Sequence, residues 1–158
     1  MAEHTATIHW SRENEANFVD NRYSRAHLWT FDGGAEIHAS SSPHVVPVPM
    51  SEPSAVDPEE VFIASLSSCH MLWFLSIAAK RGFIVNEYLD KACGIMGKNS
   101  EGRVVITNVT LSPQVSFHGD NRPSLADIES MHHAAHESCY IASSVKSEIH
   151  CNPIIHIL

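Results

Sequence analysis

The amino-acid sequence predicts an α+β fold. Three observations carry that prediction: a hairpin signal near the N-terminus, one long apolar helix entered through a capping arrangement, and a β-rich middle followed by a second helix. At 158 residues, a single domain over 1–158 is the most economical organisation and is large enough to bury its own core. No internal repeat and no long linker divides it.

The elements follow in order. Ala6–Trp10 ("ATIHW") is a short strand. Tyr23–Phe31 ("YSRAHLWTF") is a longer one; it runs into Asp32-Gly33-Gly34, a strong turn signal, and "AEIHAS" returns as the second arm of a hairpin. Read as one strand, Tyr23, Arg25, His27, Trp29 and Phe31 share a face, which sets a guanidinium among aromatics. Prolines at 43, 47, 49, 53 and 58 then exclude regular structure. Val45, Val46, Val48 and Met50 within that loop serve either as a connector on the core or as a wall over a pocket.

Asp57 is a good N-cap, Pro58 suits the first helical position, and Glu60 stands three residues after the cap. From Val61 to about Ala79 apolar residues recur nearly all round the helix, which predicts a central, buried element. Lys80 and Arg81 suit its C-terminal dipole and Gly82 its stop. The polar residues around Ser67, Ser68 and His70 predict a closely packed partner or a small cavity.

"YLDKACGIMG" reads as one strand. "GRVVITNVTLSPQVSF" reads as a long strand or bulged pair, broken near Ser112-Pro113. A second helix opens at Ser124, with Leu125, Ile128, Met131 and Ala135 at helical spacing, and breaks near Cys139 and Tyr140. A last strand is expected around "PIIHIL".

Composition excludes several functions. The formal charge is −8, from 10 basic and 18 acidic residues, and no Lys/Arg-rich run occurs, which argues against nucleic-acid and anionic-membrane partners. The apolar stretches read as too interrupted to span a bilayer, and the N-terminus lacks the layout of a secretory signal. Cysteines at 69, 93, 139 and 151 show neither a CxxC pair nor disulfide-scaffold spacing. A cytoplasmic protein is the expectation, one in which any disulfide is transient.

Two cysteines stand in matched contexts, Cys69 in "SSCHM" and Cys139 in "HESCYIASS". The plain alternative for either is a small buried hydrophobe. Cys93, with no acid–base residue adjacent, is read as structural, and Cys151, just before the last strand, as non-catalytic.

"VDPEEVFIASLSSCHMLWFLSIAAKRGF" resembles the central-helix signature of the OsmC/Ohr family, the osmotically inducible and organic-hydroperoxide-resistance proteins. "AHESCYIASSVKSEI" resembles its second cysteine signature, and "GRVVITNVTLSPQVSF" its central strands. The resemblance covers roughly residues 57–158 and is closest to the OsmC-like branch. It implies antiparallel sheets around long buried helices in an intertwined homodimer, with active sites at the subunit interface. It also implies a thiol peroxidase acting on organic hydroperoxides in oxidative-stress defence, without a cofactor or metal. Cys69 would form a sulfenic acid, Cys139 would condense with it to a disulfide, and a small or protein dithiol would reset the pair. Glu59 matches the family's glutamate; Arg25, with Arg22 second, matches its thiolate-activating arginine. A free thiol has a pKa of about 8.5, and a fixed guanidinium favours the thiolate. Taken alone, Glu59 is also explained as a first-turn dipole residue, and Arg25 as an exposed strand cation. Tyr140 departs from the family pattern, in which proline follows the second cysteine. Ten residues part Glu59 from Cys69, about 15 Å on a straight helix. Either that helix breaks or the glutamate serves another protomer.

Two rival classes come from the residues. His132 and His136 at i, i+4, with Cys139 beyond, could clasp a metal, although the HExxH glutamate is absent; the plain alternative is a polar helix face of His132, His133 and His136. The other rival is a non-enzymatic binder of apolar small molecules, walled by the Val/Pro loop, Trp73 and Phe74.

Overall fold

The computed structural model describes residues 2–13 and 17–155, which form two compact units, Met1–Val61 and Phe62–Leu158. The boundary between these units falls inside the long helix.

In the first unit, β1 (Ala6–His9), β2 (His27–Phe31) and β3 (Glu36–Ala39) form an antiparallel sheet in that order. Gly34 turns the hairpin at φ 83°, a conformation that glycine adopts without steric cost. The predicted strand from Tyr23 begins only at His27. Upstream, the Arg25 amide donates to Met50 O at 2.8 Å, and its guanidinium folds back onto the Asn21 and Tyr23 carbonyls. That local wrapping removes Tyr23 and Arg25 from the strand alternation. The proline-rich segment holds no helix or named strand; one isolated bridge joins Ala39 to Val56.

Helix α1 (Pro58–Lys80) starts as the residue pattern requires. The Glu60 amide donates to Asp57 Oδ1 at 2.8 Å, and the Asp57 amide donates to Glu60 Oε2 at 3.2 Å, a reciprocal capping box. At the other end Phe83 N donates to Ala78 O and Gly82 N to Ala79 O, with Gly82 at φ 79°. This is a Schellman stop.

In the second unit β4 (Ile84–Asp90) pairs with a later strand, β7 (Pro113–His118). Between them β5 (Cys93–Lys98) and β6 (Val104–Leu111) pair antiparallel. The single strand expected over "YLDKACGIMG" is therefore two strands in different sheets, divided at Lys91-Ala92. The break near Ser112-Pro113 is as predicted. Helix α2 (Leu125–Ser138) opens at the Ser124 cap, whose side chain accepts from Asp127 N. A 3₁₀ turn, Ala142–Ser144, follows. The last strand, β8 (Glu148–Cys151), runs parallel to β6, earlier than the expected "PIIHIL". Ile154 still donates to Pro113 O at 2.9 Å, while residues 156–158 of that expected strand lie outside the described residues.

Two core clusters explain the position of α1. Towards its N-terminal side Leu66 packs with Val109 and Leu111 of β6. Gly94 allows a close approach here, because a Cβ there would meet Ile63 Cδ1 at 2.5 Å. Towards the C-terminal side Phe74 and Ala78 pack with Met131 and Ala135 of α2, against Val85, Tyr88, Val115 and Phe117. The buried residues of α1 are Leu66, His70, Phe74 and Ala78, one i, i+4 stripe. A single chain thus covers one stripe of a helix that is apolar nearly all round, and Leu72 is 61% exposed. At 23 residues, with an 18-residue window of mean hydropathy 1.7, α1 also has the length and apolarity to cross a bilayer, contrary to the sequence expectation. The small polar residues have local partners: Ser67 donates to Asp90 Oδ2 at 2.5 Å and Ser65 to Phe62 O at 2.8 Å.

Candidate functional site

Cys69 is half-buried in the middle of α1. Cys139 is the C-cap of α2, 1% exposed, and its thiol lies close enough to that of Cys69 to be shifted by it. Two signatures far apart in sequence thus place their sulfurs together. Local geometry fixes the second sulfur. The Cys139 amide donates to His136 O at 3.1 Å, and its Sγ accepts from Ala142 N at 3.4 Å. Burial first, then the Cys69 thiol, pushes the Cys139 pKa up to about 11, against a small opposing pull from the Ala142 amide. The three-residue turn after Cys139 therefore does not make it an activated thiolate. Tyr140, where the resemblance leads one to expect proline, sets its ring edge-on to Trp73 at 5.7 Å and ties the end of α2 to α1.

The other expected site residues belong to the first unit. Glu59 is half-buried in the first turn of α1. The Arg25 guanidinium lies 3.8 Å over the Tyr23 ring and donates to Asn21 Oδ1 at 2.7 Å, so it is held in place. Arg22 is exposed, with its backbone amide bonded to Asp20 Oδ1.

The metal alternative of His132, His136 and Cys139 gives way to a different grouping. His132 is 3% exposed and turns into the core, whereas His133 is exposed and His136 half-buried, so the three do not form one polar face. His132 Nδ1 lies 3.0 Å from Nε2 of His70, itself 1% exposed, and Cys151 Sγ lies 3.6 Å from the same His70 nitrogen. Burial holds both histidines well below the usual imidazole range, to about 4 for His70 and about 3 for His132, so both are neutral. Burial, followed by the Asp90 charge, pushes Cys151 up to about 12. A signal for His70 was present in the sequence, since it occupies the 66, 70, 74, 78 stripe of a helix whose other stripe residues are apolar.

Thiol reactivity should follow these environments. Cys93 is exposed, whereas Cys139 and Cys151 are shielded and held protonated. Iodoacetamide at mildly alkaline pH is expected to modify Cys93 before Cys139 and Cys151, as read by peptide mass spectrometry.

With the geometry established, known proteins place the chain. The family profile described as OsmC-like protein matches residues 51–153. The chain belongs to the OsmC-like protein family. A solved structure of an OsmC-like protein of unknown function from Vibrio cholerae shares 56% identity and a TM-score of 0.96, covering 98% of this chain and 100% of that one. An organic hydroperoxide resistance protein from Elizabethkingia anophelis superposes at TM-score 0.69 with 14% identity, covering 97% of this chain and 94% of that one. One from Bacillus subtilis superposes at 0.66 with 15% identity, covering 97% and 98%. These two likenesses show the fold. No curated protein matches the sequence. The α+β class and the family read from the residues are both borne out.

Proposed function

We propose that the protein is a cytoplasmic thiol peroxidase that reduces organic hydroperoxides, with Cys69 as the attacking sulfur and Cys139 as its resolving partner. The observation that carries this reading is the proximity of the two thiols beside the Trp73–Tyr140 contact that joins α1 to the end of α2. The Cys69 thiolate attacks the terminal oxygen of R–O–O–H. An S–O bond forms, the O–O bond breaks, and the alkoxide takes a proton to leave as alcohol. The Cys139 sulfur then attacks the sulfenic acid, expelling water and forming the disulfide, and a dithiol reductant restores both thiols by exchange. A buried Cys139 thiol, held protonated, suits the waiting role.

Arg25 is the better choice for the activating cation, because its guanidinium is oriented by Tyr23 and Asn21 while Arg22 is exposed. Helix α1 runs unbroken from Pro58 to Lys80, so Glu59 stays about 15 Å from Cys69 along its own helix. Glu59 therefore serves the Cys69 of a second copy, in a homodimer that also covers the exposed apolar side of α1. Light scattering at micromolar concentration should give the dimer mass, and a monomer mass would count against this assembly.

Stopped-flow oxidation of the reduced protein tests the chemistry. Burying an alkyl group gains about 0.8 kcal/mol per methylene, so a hydroperoxide of several carbons should react orders of magnitude faster than hydrogen peroxide. Equal rates would remove the organic-substrate assignment. A second reading, a binder of apolar small molecules, draws support from a groove of about 900 Å³ lined by Leu89, Val115, Phe117, Ile128 and Ile154, and not by the expected Val/Pro loop, Trp73 and Phe74, the last of which is fully buried in the core. Tight binding of an apolar ligand without thiol oxidation by any peroxide would favour it.

A further inference from the structure

We propose that His70, His132 and Cys151 form a binding site for a borderline-soft divalent metal ion, zinc in the first instance, separate from the Cys69–Cys139 pair. The three side chains come from α1, α2 and β8, and their donor atoms all lie within 4.8 Å of one another. Two of the separations, 3.0 Å between the histidine nitrogens and 3.6 Å from Cys151 Sγ to His70 Nε2, fit one ion. A tetrahedral zinc with N at about 2.0–2.1 Å and S at about 2.3 Å has N–N edges of about 3.3 Å and N–S edges of about 3.6 Å.

The donor chemistry agrees with that geometry. Two neutral imidazoles and one thiol are ligand types that suit zinc, and equally cobalt, nickel or copper, whereas hard magnesium and calcium take oxygen ligands. The surroundings supply the compensating charge. Asp90, fixed by Ser67 Oγ and the Ser112 amide, lies close enough for its charge to act on His70, Tyr88 and Cys151. Binding displaces the Cys151 proton to solvent, leaving a thiolate and a nearby carboxylate against the two positive charges of the ion. Tyr88, whose hydroxyl is buried without a partner among the described residues, sets its ring 6.5 Å from that of His132. His132, 3% exposed, also lines the apolar groove between α2 and β7.

His70 directly follows Cys69, yet the two serve different partners. Successive residues on a helix point about 100° apart, so Cys69 faces Cys139 while His70 faces His132 and Cys151. An ion here would staple two helices and a strand inside the core beside the redox pair.

The test uses the full chain, reduced and stripped of metal with a chelator. Cobalt titration should give one equivalent per chain, with a thiolate-to-cobalt charge-transfer band that zinc then displaces, and zinc should raise the melting temperature. Cys151→Ser should abolish the band. His132→Asn should weaken zinc binding by at least about 100-fold, since even outer-shell partners of metal ligands are worth 10–100-fold. Cys69→Ser and Cys139→Ser should keep the band, which separates this site from the peroxidase reading. No stoichiometric binding by the unaltered protein would overturn the proposal. So would a band that survives Cys151→Ser but disappears with Cys69→Ser or Cys139→Ser. If Cys151→Ser does not fold, the affinity of His132→Asn decides between these outcomes.

Discussion

Cys69→Ser is expected to lose organic-hydroperoxide turnover by at least about 10³-fold, the ordinary consequence of deleting a covalent nucleophile. A serine hydroxyl cannot form the sulfenic acid from which every later step proceeds. Cys139→Ser should behave differently. Its first turnover survives and releases one equivalent of alcohol per chain. The unprotected Cys69 sulfenic acid then climbs to sulfinic acid, and activity decays with each addition of peroxide. Cys93→Ser, altering an exposed thiol, should behave like the unaltered protein. Alcohol release and intact-protein mass separate these cases. Undiminished turnover by Cys69→Ser would end the peroxidase reading, and a Cys69 disulfide to Cys93 or Cys151 would reassign the resolving thiol.

Local chemistry was legible wherever its cause was local. Asp57 with Glu60 and Ser124 with Asp127 announce helix starts through hydrogen bonds that span three residues. Gly34 and Gly82 mark left-handed turns for the same reason. What failed was pairing at a distance. Lys91-Ala92 carries neither glycine nor proline, so nothing in the pattern divides β4 from β5, yet their partners lie in different sheets. The parallel pairing of β8 with β6 likewise depends on contacts across forty positions. The same limit shaped the histidine reading. His132 and His136 look paired because periodicity reveals neighbours on one helix, whereas the true neighbours of His132 are His70 on another helix and, through it, Cys151 on a strand. The Cys69–Cys139 partnership came from a resemblance to whole signatures, because no spacing rule within one helix could supply it.

Phe74→Ala is expected to destabilise the protein by about 3–5 kcal/mol, the range for deleting a buried aromatic ring. Phe74 is fully buried; its ring stacks on His132 at 4.2 Å and meets Tyr88 at 5.6 Å. No neighbour can fill the void cheaply. Met131, Ala78 and Ala135 are themselves fully buried, and Phe117 is held on β7 at 6.5 Å. At roughly 2–4 °C per kcal/mol for a chain of this size, melting should fall by about 6–20 °C. Leu72, two residues earlier on the same helix, provides the contrast at 61% exposure. In an isolated chain Leu72→Ala should cost no more than about 0.5 kcal/mol, as for other surface substitutions. In a dimer built on the exposed side of α1 it should cost several times that at concentrations where the dimer forms, and the loss should shrink towards the isolated-chain value as the protein is diluted, because a bound second copy stabilises by mass action. Urea unfolding of both variants at two protein concentrations reads the two cases apart. A small, concentration-independent effect of Leu72→Ala would leave the apolar side of α1 without its second copy, whereas a Phe74→Ala loss below about 1 kcal/mol would contradict the cavity argument.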